Sequence, residues 1–162
     1  MVGTIDQFRA QLIGGGARPN QFKVEINSPV GIATGLPTEN AAFLCKSSQL
    51  PSMTIGEIAL PFRGRQVYIA GDREFPDTWT TTFMNDTNFL IRNALERWNN
   101  GINDLVTGTG VVVSADYQAD LKVSQLDRDD NVLKVYIFRN AWPVTISAIA
   151  LSTETTNAIE EF

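Results

Sequence analysis

Two groups of neighbouring carboxylate side chains are the residues of this chain best suited to catalysis or metal binding. One pair is Asp72 and Glu74, and the other group is the run Asp127, Asp129 and Asp130. Two carboxylates that flank a bound sugar can hydrolyse a glycosidic bond as an acid and a base or nucleophile. A short run of acidic and amide residues can also form a calcium-binding loop. The residues therefore raise two hypotheses, a hydrolase and a calcium site.

The surrounding sequence favours neither hypothesis. The Asp run lies between two strand patterns, where Asp is common because it suits turns. A calcium loop needs Gly at its sixth position, which is Val132 in this chain. The chain has no His and one Cys, which excludes a His-based triad, a His-ligated zinc, a Cys-only metal site and an internal disulfide. We predict no catalytic residue, no cofactor and no metal site.

The overall composition limits the class of protein further. A chain of 162 residues with 43% apolar content can form a core without disulfides or a metal. Its net charge of −5 argues against a protein that grips nucleic acid, since such proteins neutralise phosphates with Lys and Arg. The first twelve residues contain no continuous apolar stretch, which predicts neither a signal peptide nor a membrane span. Cys45 lies in an apolar run and is expected to be a small buried residue.

The main element of structure is predicted to be the β-strand. The chain has 12 Val, 13 Ile and 15 Thr residues, and β-branched residues favour strands. Apolar residues alternate with polar ones in several segments, which is typical of half-buried strands. The predicted strands cover residues 21–26, 41–46, 53–60, 65–70, 77–83, 118–126 and 132–139, with turns at 61–64 and 127–131.

One amphipathic helix is predicted from Phe89 to Trp98. Apolar residues occur at positions 90, 91, 94, 95 and 98, which is the spacing of one helix face. Asp86 or Thr87 can cap its start, and Gly101 suits its end. Trp98 is expected to anchor the helix by packing rather than to bind a ligand.

The last predicted strand is apolar on both faces. Leu133, Val135 and Ile137 alternate on one side. The other side carries Tyr136 and Phe138 beside Val132 and Lys134. Both faces are therefore expected to be covered, one by the core and the other by a further layer or another subunit.

Four stretches in order resemble the tail tube proteins of contractile-tailed bacteriophages. They are residues 17–26 (ARPNQFKVEI), Phe43–Lys46 with Leu50-Pro51 behind it, Val67–Phe75 continuing through Trp79 to 83–86 (FMND), and Trp142-Pro143. Their order and spacing extend over almost the whole chain. The chain is identified from them as a member of that family.

The resemblance implies a mainly β fold in which two packed β-sheets form a sandwich or barrel with one flanking α-helix. It implies a single tail tube domain over residues 1–162, with residues 1–16 as a flexible N-terminal arm. Six copies would form a ring, and rings would stack into a hollow tube inside a contractile sheath. This tube would be part of the virion, assembled in the host cytoplasm, and would conduct DNA into the host.

The implied partners follow from that assembly. They are identical subunits, the sheath protein, a tape-measure protein in the lumen, a baseplate tube initiator and a tail terminator. DNA would be cargo in transit, and no membrane is involved. The resemblance also places one more strand after residue 162, whose absence is expected to expose an edge near residues 148–151.

Two groups of side chains are candidates for surfaces of such a tube. The candidates for the lumen are Glu57, Asp120, Lys122, Ser124 and Lys134, although an outward solvated face fits them equally well. The candidates for contacts within or between rings are Arg63, Arg65, Asp72, Arg73, Glu74, Tyr136 and Phe138, of which the charged ones could equally be ordinary solvated charges.

Other functions stay open at this stage. The same ring and stack would serve the inner tube of an extracellular contractile injection system or a type VI-like secretion system. A monomeric β-sandwich binding module is an alternative of another class. A tube that conducts DNA favours an acidic chain, because repulsion keeps phosphates from sticking to the wall.

Overall fold

The computed structural model describes residues 4–74 and 78–162. The chain divides into two compact units, one formed by Met1–Cys45 with Phe83–Phe162 and the other by Lys46–Thr82. The single domain over residues 1–162 stays a prediction.

The described residues form seven strands and four α-helices, in agreement with the mainly β fold that was predicted. The strands are β1 (Phe22–Ile26), β2 (Cys45–Ser48), β3 (Thr54–Phe62), β4 (Arg65–Glu74), β5 (Thr81–Phe83), β6 (Ala119–Leu126) and β7 (Val132–Ala141). The helices are α1 (Ile5–Gln11), α2 (Thr38–Leu44), α3 (Leu90–Ile102) and α4 (Ser114–Tyr117), with a 3₁₀ turn at Ile13–Gly15. All the sheets are small and their measured pairings are antiparallel.

The largest sheet has the strand order β1-β6-β7 and supplies much of the core. Val24 pairs with Val123, and both side chains are buried. Val123 also pairs with Tyr136 of β7, so these three residues lie on one face, which we call the inner face. The opposite, outer face carries Glu25 and Lys122, which pair with each other across β1 and β6. The predicted hairpin of strands 118–126 and 132–139 is confirmed.

Helix α3 contributes the other large buried side chains of the same unit. Ile91, Ala94 and Trp98 are buried, and the Trp98 indole N–H donates to the Tyr117 carbonyl at 2.7 Å. The packing role predicted for Trp98 is confirmed, because its side chain is 1% exposed. The helix begins after Phe89, whose side chain makes no capping bond, so the predicted N-caps Asp86 and Thr87 are wrong, although an Asp86 carboxylate oxygen accepts from the Leu90 amide at 2.9 Å.

The predicted helix end at Gly101 is wrong. Helix α3 continues through this glycine to Ile102, and Asn103 follows as the C-cap. A Cβ atom at position 101 would lie 2.6 Å from Cγ2 of Ile32, which is itself buried. Gly101 is therefore required for the close approach of the helix to Ile32, and not for the end of the helix.

The strand predicted over residues 41–46 is also wrong. Residues Thr38–Leu44 form helix α2, and the strand begins only at Cys45. The Ala41 amide donates to the Pro37 carbonyl at 3.1 Å, which forms the first turn. Adjacent alanines favour a helix, and the buried Ala41 fixes its inward face. Cys45, expected to be buried, is half-buried at the junction.

Strands β3 and β4 form a long antiparallel hairpin, which confirms the predicted strands 53–60 and 65–70 and extends both. Arg63 and Gly64 form its turn, with φ values of 47° and 79°. A register shift lies between Ile55 and Glu57. A Cβ atom at Gly71 would lie 3.1 Å from the Gly56 carbonyl oxygen, so the two backbones approach closely at the shift.

The first and last described segments of the chain take defined conformations. Helix α1 begins with a capping box in which Thr4 and Gln7 bond reciprocally, yet none of its side chains is buried. At the other end, Phe162 and Phe83 exchange backbone hydrogen bonds of 2.9 and 3.1 Å. Residues 148–151, where an exposed sheet edge was expected, form no strand. Of the strand predicted at 77–83, residue 77 lies outside the described residues and Thr81–Phe83 is a strand.

Candidate assembly surface

The Asp run of the β6–β7 turn serves the turn itself. One Asp127 carboxylate oxygen accepts from the amides of Asp129 and Asn131 at 2.8 and 2.9 Å. The Asn131 side chain also donates to this carboxylate, and these bonds lower the pKa of Asp127. Within residues 4–74 and 78–162, no group of three or more His, Cys, Asp or Glu side chains is arranged to hold a metal ion.

The charged candidates of the β3–β4 hairpin lie in two separate groups. Arg63 and Arg65 lie at the tip, where the Arg63 guanidinium is 5.4 Å from the centre of the Phe62 ring. Asp72, Arg73 and Glu74 end β4 at the opposite end of the hairpin. The strand length between them separates the two groups. Any ion pairs that join these groups to other charges must therefore form at two separate places.

The lumen candidates of the β6–β7 hairpin lie on two different faces. Asp120 and Lys122 alternate on the outer face of β6, and Asp120 accepts from the Asn140 amide at 3.2 Å. Lys134 pairs with Gln125 and therefore lies on the inner-face side, with its ammonium 4.8 Å from the Tyr136 ring centre. Lys134 therefore lies on the opposite face from Asp120 and Lys122, with which it was nominated for the lumen.

Ser124 and Glu57 differ sharply in exposure. The Ser124 residue is 2% exposed, which does not fit a side chain bathed by the water of a lumen, and we do not retain it as a candidate. Glu57 lies on β3 opposite Ala70 and is exposed. It stays a candidate.

Glu25 is the centre of a small ion-pair network on the outer face. Its carboxylate lies 3.0 Å from the Lys122 ammonium and 3.1 Å from that of Lys23. The hydrogen bonds from Lys122 and then Lys23 lower the pKa of Glu25 below its ordinary value of 4.5. The contribution of the network to folding is therefore complete above about pH 4.5 and is lost as the pH falls through the lower pKa of the folded state.

We expect Glu25→Gln to lower the free energy of unfolding at pH 7 by about 0.5–1 kcal/mol, because solvent screens these partly exposed charges. The difference between the variant and the natural chain should disappear near pH 3 (roughly, where most free carboxylates are protonated). Urea denaturation of both chains at pH 7 and at roughly pH 3 measures this difference in the free energy of unfolding. A difference that persists unchanged in acid would show that Glu25 acts by packing and not by charge.

The outer face of β7 is apolar and open to solvent. Leu133, Val135 and Ile137 alternate along it and are 39–56% exposed. β7 pairs with β6 alone among the described residues, so its second edge also has no strand beside it there. We call these three residues the outer strip. Tyr136 and Phe138, the predicted interface residues of this strand, lie on the inner-face side opposite Val123 and Leu121 and are half-buried.

One face of the β3–β4 hairpin is also apolar and exposed. The register places Ile58 opposite Ile69 and Leu60 opposite Val67, with Phe62 next in line. These five residues, which we call the hairpin face, are 46–61% exposed. The opposite face carries Glu57 and the pair Tyr68 and Gln66, which are joined by a 2.8 Å hydrogen bond.

Sequence reasoning found the charges of this hairpin and missed its apolar face. The signal was present, because Ile58, Leu60 and Phe62 alternate in one strand, as Val67 and Ile69 do in the other. Alternation alone predicts a half-buried strand within the same chain. Only the register shows that all five residues share a face that this chain leaves exposed.

The fold and these surfaces define a mainly β protein with two exposed apolar sheet surfaces. No helix within the described ranges is long and apolar enough to cross a membrane. The model of the phage tail tube protein family matches residues 17–162, and the chain belongs to this family.

Three curated tail tube proteins are similar to almost the full chain. The tail tube protein of Serratia phage KSP90 is 28% identical over 163 residues, covering 99% of this chain and 92% of that protein. The tail tube proteins gp19 of Enterobacteria phages T4 and T6 are each 33% identical over 162 residues, covering 97% of this chain and 91% of theirs. The chain is thus a structural tail tube protein of a phage particle and not an enzyme.

Proposed function

We propose that this protein forms six-membered rings that stack into the hollow tube of a contractile phage tail. The observation that carries the proposal is the pair of exposed apolar surfaces, the outer strip and the hairpin face. An isolated soluble domain rarely leaves such sheet surfaces uncovered, because exposed apolar patches and free strand edges promote association. Contacts with identical subunits would remove both from water.

A closed ring accounts for the presence of two different surfaces. In a ring, one surface of each subunit meets another surface of its neighbour, and closure leaves no free end. Strands contributed by several subunits can form a barrel wide enough for an open channel. The free edge of β7 is the edge that such pairing would use.

The charge of the chain suits a conduit for DNA. The net charge of −5 repels phosphates, so a duplex in the channel would not adhere to the wall. Glu57, on the face of the hairpin opposite the apolar one, is our first candidate for the lumen. Asp120, Lys122 and Lys134 are further candidates, although Lys122 is already paired with Glu25.

The proposed partners are those of a contractile tail. Outside the tube we propose a sheath protein, inside it a tape-measure protein, and at its ends a baseplate initiator and a terminator. DNA passes through on ejection, and the tube assembles in the host cytoplasm. The named relatives belong to phages, which supports the phage tube over an injection-system tube.

Sedimentation velocity of the purified full chain tests the proposal. We expect a monomer at low concentration and much larger species as the concentration rises, since apolar contacts between identical copies follow mass action. A single monomeric species throughout would favour a monomeric binding module instead.

A further inference from the structure

We propose that the hairpin face of one copy packs on the outer strip of β7 in a second copy, oriented by opposite charges at the two ends. The inference rests on the proposed function and deepens it, because it names the two surfaces that meet between neighbouring subunits. It commits to another copy of this chain as the occupant.

The two surfaces match in length and in chemistry. β3 has 9 residues, while β4 and β7 have 10 each, so the strands can lie along one another without overhang. Both surfaces are largely aliphatic, and both are about half exposed in the single chain. Stacked sheets bury such faces against each other at a spacing of about 10 Å. Each surface therefore provides the cover that the other lacks.

The hairpin face ends in opposite charges. At its tip, Arg65 lies directly opposite Phe62 and so belongs to this face, with Arg63 beside it in the turn. At its base, Glu74 pairs with Thr54. A Cβ atom at Gly56 would lie 3.9 Å from a Glu74 carboxylate oxygen, which places that carboxylate on the same side as the apolar residues. The face is thus basic at the tip and acidic at the base.

The outer strip also ends in opposite charges, in the order that complements the hairpin. The turn before β7 contains the exposed residues Arg128, Asp129 and Asp130, so that with Asp127 its net charge is acidic. Asp127 is already engaged by its own turn. At the other end, Arg139 follows Ile137 on the same alternating face and is exposed. The strip is thus acidic at its start and basic at its end.

Only one direction of packing brings opposite charges together. With the hairpin tip at the β6–β7 turn, Arg65 meets Asp129, and Glu74 at the base meets Arg139. The reverse direction would place Arg65 on Arg139 and Glu74 on Asp129, and juxtaposed like charges oppose such an arrangement. Apolar area would hold the contact, and the charges would set its direction.

The contact is suited to repetition because each subunit carries both halves. A hairpin face donated to one neighbour leaves the outer strip free to receive the hairpin of another, which is a heterologous contact of the kind that closes rings or extends filaments.

A charge-exchange experiment on the full chain tests the inference. One variant carries Arg65→Glu and the second carries Asp129→Arg. Alone, each places like charges at the contact, so the concentration needed for assembly should rise about tenfold or more. In an equimolar mixture, every hairpin tip can meet an oppositely charged turn on the other variant, and assembly should return toward that of the natural chain. Electron microscopy and sedimentation supply the readout.

Matched controls separate this contact from general charge effects. Arg9→Glu in α1 and Glu154→Arg after β7 make the same charge changes at residues outside both surfaces, and these variants should assemble like the natural chain both alone and mixed. The second pair, Glu74→Arg and Arg139→Glu, should repeat the loss and the recovery at the other end of the contact. Added salt should weaken the effects of both pairs, because it screens exposed charges.

The outcomes distinguish the inference from the proposed function. If the natural chain forms tubes but the mixture assembles no better than either variant alone, the contact is overturned and the tube is retained. If Arg65→Glu alone assembles like the natural chain, the contact is also overturned. If the natural chain forms neither rings nor tubes, the proposed function itself fails. The contact is supported if neither variant assembles by itself and the mixture does. In that case the matching charges can come only from two different chains.

Discussion

Replacing Leu60 and Val67 together by Asp should abolish tube assembly while leaving the chain folded. The two residues lie opposite each other in the middle of the hairpin face and are about half exposed in the single chain. The substitutions therefore remove little buried apolar area within one copy, and the like charges across the pair cost only about 0.2–1 kcal/mol. In the assembled state they would bury two unpaired carboxylates, and each buried unpaired charge costs several kcal/mol. At about 1.4 kcal/mol for each factor of ten, no assembly is expected at concentrations where the natural chain forms tubes.

The control for this prediction lies on the other face of the same hairpin. Ala59→Asp adds a carboxylate beside the polar groups of Tyr68 and Gln66, on the face that we propose meets water. It should assemble like the natural chain. Circular dichroism shows whether each variant is folded, and electron microscopy scores assembly. Tubes of normal length formed by the Leu60 and Val67 variant would contradict the role of the hairpin face.

Trp98→Ala should lower the free energy of unfolding by about 3–5 kcal/mol, the range for truncating a large buried aromatic residue. Trp98 is the largest of the fully buried side chains. The substitution leaves a cavity under α3 and also leaves the Tyr117 carbonyl without the indole donor that lies 2.7 Å from it. Urea denaturation monitored by circular dichroism measures the loss.

Trp98→Phe provides the matched variant for that measurement. It keeps an aromatic ring in the core and removes the indole N–H, so its loss should be clearly smaller than that of Trp98→Ala. Both variants lack the indole N–H, so the difference between their losses of unfolding free energy measures the packing of the ring and not the hydrogen bond. A loss below about 1 kcal/mol for Trp98→Ala would be in the range of an ordinary surface substitution and would contradict the core assignment.

The sequence was most informative where a pattern is local and covers one face. Helix α3 was predicted from its apolar spacing, and the hairpin of β6 and β7 from its alternation around a polar turn. Both patterns depend only on neighbouring residues and on the geometry of one element. The carboxylates of the Asp run were also correctly assigned to a turn, since Asp127 bonds to the backbone two and four residues ahead.

The errors have physical causes that single-sequence patterns do not contain. Ala41 and Ala42 extend an apolar run that suits a strand, but a helix that buries only Ala41 accommodates the same residues. Gly101 resembles a helix end, although its role depends on Ile32, which is distant in sequence. Lys134 was nominated for the lumen together with Asp120 and Lys122, whereas cross-strand pairing with Gln125 places it on the other face of the sheet. The position of Lys134 is set by the cross-strand register, and the role of Gly101 is set by a contact with a residue distant in sequence.

The candidate assembly surface illustrates the same limit. Both faces of β7 were expected to be covered, but Tyr136 and Phe138 were the residues nominated for contact with another subunit, whereas the exposed strip is the opposite face with Leu133, Val135 and Ile137. The hairpin face was not anticipated, since its five residues come from two strands and acquire a common face only through the β3–β4 register. Both surfaces are about half exposed in the single chain, so they are the features of the structure that call for a partner.

Electron microscopy of the purified full-length chain over a range of protein and salt concentrations tests the central claim most directly. We predict ring-shaped particles with six-fold symmetry in end views and, at higher concentration, hollow tubes with an open axial channel. Images that contain only monomers at every concentration and salt condition would contradict it.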